Sequence, residues 1–150
     1  MPNPTESPAP LRALVGWRLL ALAYDFFPML ALWFITAGVF TAIHRDAVRG
    51  GWLGLLEFAV MWLLAGAYAV ASWRRGGQTL GMRAWRLRAV DMQGANATAR
   101  ALWLRYAVGG ISLLCAGCGF WWAWIDRERL TWHDRISRTR MIRETKQPAK

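Results

Sequence analysis

The chain has 150 residues, of which 55% are hydrophobic and 11 are tryptophans, and its formal net charge is +10. A chain of this length fits one domain. A basic balance suits either nucleic acid or an anionic membrane surface. Because the basic residues flank long apolar runs and no nucleic-acid-binding signature is present, the composition predicts a membrane protein without a nucleic-acid partner.

Residues 1–15 predict a flexible N-terminal tail rather than a signal peptide. They hold four prolines and no early basic cluster, and the apolar run that follows is too long for a signal-peptide core. We therefore divide the chain into this tail, a membrane domain over residues 16–142 and a basic C-terminal tail over residues 143–150.

The first apolar run covers residues 16–43 and contains one acid, Asp25. Since roughly 20 residues cross the hydrocarbon at about 1.5 Å of rise per residue, this run is long enough to span a membrane. A charged group inside a span is costly and marks a candidate functional site. Pro28 predicts a kink close by, where water, an ion or a neighbouring side chain can enter. We favour Asp25 as a clamp between helices over Asp25 as a transport site.

The second apolar run covers residues 52–73 and has a tryptophan at each end, which marks the two membrane interfaces. The short polar link over residues 44–51 predicts that the two spans are antiparallel neighbours. Glu57 lies near the start of the second span. We expect its side chain to reach interfacial water; the alternative is a second carboxylate at membrane depth.

Residues 74–101 carry six arginines and one acid. The positive-inside rule places this segment and the N-terminus in the cytoplasm, with the 44–51 link outside. Apolar residues alternate with arginine over residues 85–89, which predicts a short extended piece or a basic interfacial strip. Residues 91–94 predict a β-turn, and Thr98 predicts the N-cap of the next helix.

The third apolar run covers residues 102–125 and allows two interpretations. A single span is the default by length, and it would place the C-terminus outside. Residues 126–150 carry eight basic residues against four acids, however, and the positive-inside rule places such a segment in the cytoplasm. A broken or re-entrant hairpin around residues 117–119 satisfies both constraints, and the sequence leaves the two alternatives open.

Two cysteines, Cys115 and Cys118, form a C-x-x-C pattern inside this third run. No second cysteine pair completes a four-thiolate zinc site, and the βαβ context of a redox motif is missing. We interpret both as small packing residues and expect no metal or cofactor.

Arg105 lies about one turn into the third run, at a depth comparable to that of Asp25. A buried acid needs a partner, and Arg18 begins the first span seven residues before Asp25. We predict that Arg105 or Arg18 neutralises Asp25 within the bundle.

The C-terminal segment contains His133 and Asp134 side by side. Adjacent residues do not share a helix face, and no nucleophile accompanies them, so they are a weak signal for hydrolysis. We expect Asp134 to cap a helix or to pair with Arg83, Arg86 or Arg88.

Taken together, three segments resemble the RDD family of bacterial membrane proteins. Segment 18–25 has Arg and then Asp seven residues later, segment 78–94 is similar to the family's central T-L-G segment, and segment 133–139 matches the pattern H-D-x-x-x-x-T. The resemblance implies functional positions at Arg18, Asp25 and Asp134, supported by Thr79, Gly81, Arg105, His133 and Thr139. Met82 departs from a common lysine and Arg138 from a common small residue.

The resemblance implies a multi-pass protein of the bacterial inner membrane, in a family with suggested transport and some members linked to cation/proton exchange. The fold predicted is an all-α membrane protein: a small bundle of about three apolar segments, with a basic cytoplasmic loop that contains a short extended or turn element.

Two functions follow from these features, and neither is enzymatic, because no metal cluster, phosphate loop or nucleophile elbow is present. The first is a membrane module that binds or assists partners. The alternative is a small oligomeric transporter, such as a cation/proton antiporter in which Asp25 carries the proton. The partners expected are anionic lipid headgroups and either a second copy of the chain or another membrane protein.

Overall fold

The computed structural model describes residues 14–48 and 50–144, and most of this part of the chain is helical. The predicted N-terminal tail lies almost wholly outside the described residues, as does most of the predicted C-terminal tail. Of these two segments, Val15 begins the first helix and Arg143 ends the last strand.

Two long helices form a hairpin. Helix α1 runs over Val15–His44 and helix α2 over Gly51–Gly76. Their 30 and 26 residues correspond to lengths of about 45 and 39 Å, so each can cross a membrane. Pro28 lies inside α1, and the helix continues on both sides of it. The kink expected there stays a prediction.

A short basic segment follows α2. It contains helix α3, Leu80–Ala84, and strand β1, Leu87–Asp91. The strand begins and ends two residues later than the extended piece predicted over residues 85–89, because residues 85 and 86 form a turn. The predicted turn is present, since the Gly94 backbone N–H donates to the Asp91 carbonyl at 3.2 Å. The Thr98 side chain caps the next helix, as expected.

The third apolar run is broken. Helix α4, Ala99–Leu114, and helix α5, Cys118–Ile125, are bent by 99° at a three-residue break. Ala116 and Gly117 both adopt positive φ in that break, which ends one helix before the other begins. At about 24 Å, α4 alone is shorter than the hydrocarbon, and the break agrees with the broken or re-entrant alternative.

The chain ends with helix α6, Trp132–Ser137, and strand β2, Thr139–Arg143. Strand β2 pairs antiparallel with β1, with Leu87 opposite Arg143 and Asp91 opposite Thr139. The C-terminal segment therefore returns to the end of the bundle at which α1 begins and α2 ends. We call this end, which also holds α3, β1, α6 and β2, the basic end.

The hydrophobic core lies at the basic end. One cluster of buried side chains joins α1, α3 and β1 and consists of Ala21, Met82, Leu87 and Ala89. A second joins α2 and α4 and consists of Val70, Ala97 and Leu102. Away from this end the long helices are largely uncovered: Phe34 on α1 is 70% exposed and Leu55 on α2 is 72% exposed. Such faces suit contact with lipid or with another membrane helix.

Candidate functional site

Asp25 fastens α1 to the start of α3. Its carboxylate accepts a hydrogen bond from the Thr79 hydroxyl at 2.5 Å and another from the Gly81 backbone N–H at 2.8 Å. Thr79 is also the N-cap of α3, because its side chain accepts from the Met82 N–H. Since Asp25 and these residues meet, α1 and α2 run antiparallel, as predicted. The expected role of Asp25 as a clamp agrees with these contacts.

The approach of α3 to α1 requires glycine at position 81. A Cβ built there would overlap the carbonyl oxygen of Ala21 and lie 3.0 Å from the Asp25 carboxyl carbon. Any side chain at this position would push α3 away and break the Gly81 hydrogen bond. Thr79 and Gly81 are therefore two parts of one contact with Asp25.

The predicted neutralisation of Asp25 by Arg18 or Arg105 is wrong. Among the described residues, no basic side chain lies within 4.0 Å of the Asp25 carboxylate, and both arginines bind Asp134 instead. Arg18 is nearly two turns from Asp25 on the same helix, so its side chain reaches α6 rather than back along α1. Glu57, the other acid within a span, is only partly exposed.

Asp134 lies between two guanidinium groups. Arg18 donates to one carboxylate oxygen at 2.5 Å, and Arg105 donates to the other. All three side chains are buried, with 0% of Asp134 and 3% of each arginine exposed. The expected pairing of Asp134 with Arg83, Arg86 or Arg88 is wrong, since those arginines lie on the α3–β1 segment and not against α6.

Three hydroxyl groups complete the shell around the charges. Thr131 accepts from Arg18 at 3.1 Å, and Thr139 accepts from Arg105 at 2.8 Å. Ser137 lies 2.7 Å from the Thr139 hydroxyl. Each charged group thus has a polar partner besides its counter-ion, which is the condition for tolerating buried charge.

Asp134 also begins α6. The Thr131 side chain accepts from the Asp134 N–H, and the Asp134 side chain accepts from the Thr131 N–H, which is a capping box. The predicted capping role is therefore confirmed. Thr131 was not predicted as a site residue, although the spacing Thr131-x-x-Asp134 is the pattern of a capping box.

Electrostatics keeps Asp134 ionised. Burial alone raises the pKa of the carboxyl, but the charges of Arg18 and Arg105 outweigh burial and hold the pKa well below its usual range. With one negative and two positive groups, the cluster has one excess positive charge. The guanidinium of Arg105 lies 5.6 Å from the centre of the Trp73 ring, and this cation–π contact helps to stabilise the excess positive charge.

His133 is a neutral packing group beside the cluster. Burial, followed by the nearby charge of Arg105, lowers the pKa of His133 to about 3. Its ring lies 4.8 Å from that of Phe120, and its Nδ1 has no hydrogen-bond partner among the described residues. At 3.9 Å from Asp134, its Nε2 is too far for a hydrogen bond.

A metal site was not expected from the sequence. Within residues 14–48 and 50–144 there is no group of three or more His, Cys, Asp or Glu side chains placed to hold a metal ion. Cys115 and Cys118 are free and exposed at the break between α4 and α5, so the expectation that they serve as packing residues is wrong.

We expect Asp134→Asn to destabilise the protein strongly, because two buried guanidiniums would lose their counter-ion. Removing one partner of a buried ion pair costs on the order of 3–5 kcal/mol. Thermal unfolding of the detergent-solubilised protein measures the loss. The control is Glu144→Gln, which breaks the exposed Arg88–Glu144 pair and should cost less than about 1 kcal/mol. Equal midpoints for the two variants would contradict the role given to the cluster.

We also expect His133 to make stability depend on pH. Between pH 6.5 and about 3 the unfolded state binds a proton at His133 that the folded state does not, so stability falls as pH falls through this window. The slope approaches about 1.4 kcal/mol per pH unit. Unfolding midpoints from pH 7 to pH 4 should fall less steeply for His133→Gln than for wild type. An unchanged slope in His133→Gln would refute this assignment.

Comparison with known proteins gives one match, to a family. The sequence model of the RDD family matches residues 12–138, which is most of the chain and includes Arg18, Asp25 and Asp134. No curated protein and no solved structure matches the chain. The long apolar helices agree with a membrane protein. The chain belongs to the RDD family.

Proposed function

We propose that this protein is a multi-pass module of the bacterial inner membrane that binds another membrane helix and performs no chemistry of its own. The observation that carries this proposal is the contrast between its two ends. At the basic end, the motif residues Arg18, Asp25 and Asp134 hold the helices together. The apolar faces of the long helices are uncovered over most of their length.

The family residues are occupied by contacts within the chain. Arg18 and Asp134 join α1 to α6, and Arg105 adds α4 to the same cluster. Asp25 joins α1 to α3. Side chains that join helices in this way suit a structural role better than a catalytic one. Breaking their contacts would leave buried charges without partners.

The uncovered faces are large for a bundle of this size. Only 6% of the most apolar 18-residue window of α1 is buried, and 22% of that of α2. On α1, Thr36 is buried whereas its neighbour Phe34, two residues earlier, is 70% exposed. The occupant proposed for this face is a membrane helix of a second copy or of another membrane protein.

The basic end is proposed to face the cytoplasm, together with the N-terminus. The positive-inside rule supports this orientation, since the segment after α2 and the C-terminal segment are both rich in arginine and meet at one end. The same charges would attract anionic lipid headgroups.

Photocrosslinking in intact membranes tests the helix partner. A photoreactive residue at Phe34 should give an adduct with a second, differently tagged copy or with one defined membrane protein. The same residue at Thr36 is the matched control, because it lies on the same helix at similar depth but is buried. If both positions give the same adducts and these contain only lipid, the proposal is contradicted.

One observation favours transport as a second candidate. Asp25 is a partly buried carboxylate in a membrane helix, and among the described residues it accepts hydrogen bonds but has no basic partner. Such a group can exchange a proton for a cation. A path would require several copies, because the described spans are few.

Proton flux in proteoliposomes tests this candidate. Sodium or potassium added to a preset pH gradient should collapse the gradient with wild type and not with Asp25→Asn at equal amounts of folded protein. Glu57→Gln is the control, as it removes the other acid within a span and should leave the flux unchanged. The absence of flux from folded wild type with both cations would remove the transport candidate.

A further inference from the structure

A polar cleft opens at the basic end where α2 gives way to α3. Its volume is about 210 Å³, and it lies outside the Asp134 cluster and the Asp25 clamp. It is lined by Tyr68, Ser72, Arg75, Gln78, Leu80 and Arg83.

The cleft presents hydrogen-bond donors and positive charge without a counter-ion. Arg75 and Arg83 are exposed, and neither side chain forms an ion pair or a hydrogen bond with the described residues, in contrast to the side chains of Arg88 and Arg135, which pair with acids. The Tyr68 hydroxyl accepts from the Leu80 N–H at 3.4 Å, so its own proton is free to donate. Two guanidiniums and a free hydroxyl proton match the oxygens of a phosphate group.

The position of the cleft distinguishes a lipid phosphate from a free one. Tyr68, Ser72 and Arg75 are spaced by four and three residues, so they lie on one face of α2 as it leaves the apolar run. Leu80, at the edge of the cleft, is 60% exposed. Polar donors above an exposed apolar side chain fit a headgroup joined to acyl chains, whereas a free phosphate would make no use of Leu80.

We infer that this cleft binds the phosphate of one anionic phospholipid, held between Arg75 and Arg83, with its acyl chains along the exposed face of α2. A site for one lipid goes further than the diffuse attraction proposed above and rests on that function only for the membrane location of α2. It is independent of the α1 face that is proposed to bind a partner helix.

Native mass spectrometry of the full chain in detergent, titrated with phosphatidylglycerol, tests this site. Wild type should bind a first lipid more tightly than later ones. Arg75→Gln with Arg83→Gln should weaken that first binding by about tenfold or more, since hydrogen bonds to charged groups are lost. The control, Arg74→Gln with Arg100→Gln, removes two exposed arginines outside the cleft and should change the first binding less than about twofold.

The outcomes separate a defined site from its alternatives. Equal losses in the two double variants would show attraction by overall charge and overturn the site. Displacement of the lipid by inorganic phosphate at equal concentration would identify a free-phosphate site and overturn the lipid assignment. If the glutamine variant does not fold, Arg75→Lys with Arg83→Lys keeps the charge but loses the paired donors of arginine. Weaker first-lipid binding in that variant would support the paired guanidinium contacts, and wild-type affinity would overturn those contacts.

Failure of the cleft and failure of the wider lipid contact give different results. Flotation with phosphatidylglycerol vesicles reports the wider contact for every variant. If wild type and the double variant at Arg75 and Arg83 float equally and bind the first lipid equally, the site in the cleft is overturned and the wider lipid contact is retained.

Discussion

The structure depends on one carboxylate placed between two guanidiniums. Burying three charged groups costs several kcal/mol for each ion unless geometry and hydrogen bonds compensate. Here the Asp134 carboxylate uses one oxygen for Arg18 and the other for Arg105, and the hydroxyls of Thr131 and Thr139 accept one further hydrogen bond from each arginine. Because the partners come from α1, α4 and α6, the charge interaction fixes where three separate segments meet. A hydrophobic contact could bring these segments together, but it would not specify their register so closely.

Asp25 joins α1 to α3 through hydrogen bonds and close packing rather than through an ion pair. Its carboxylate holds a hydroxyl and a backbone N–H of the α3 turn, and Gly81 leaves room for that turn to lie against Ala21. Both sets of contacts lie at the basic end, while the opposite ends of α1 and α2 carry exposed apolar side chains such as Phe34 and Leu55. Along the axes of α1 and α2, polar contacts within the chain therefore lie at the basic end, and exposed apolar side chains lie toward the opposite end.

Run length and composition predicted the helical membrane class, because a predominantly apolar stretch of about 20 or more residues has few other stable environments. Local patterns predicted the turn at Asp91 and the cap at Thr98, and they predicted an extended piece over residues 85–89 that overlaps the strand at Leu87–Asp91. The family motif pointed to Arg18, Asp25 and Asp134, but not to which of them touch. Depth along the axis suggested that Arg18 or Arg105 pairs with Asp25, and this failed because depth does not define the direction in which a side chain leaves its helix. The bend at residues 115–117 turns the chain so that α6 contacts α1 through Arg18 and Asp134. The 99° angle of this bend depends on packing between distant segments, which no local pattern encodes.

The contact between Arg18 and Asp134 joins residues 116 positions apart. During synthesis, α1 emerges and enters the membrane long before its partner exists. For that interval the Arg18 side chain must reach water or lipid headgroups, since a guanidinium cannot stay buried without a counter-ion. The carboxylate that lets Arg18 become buried arrives only after every apolar segment has been made. The charge cluster can therefore form only after all the apolar segments have been synthesised.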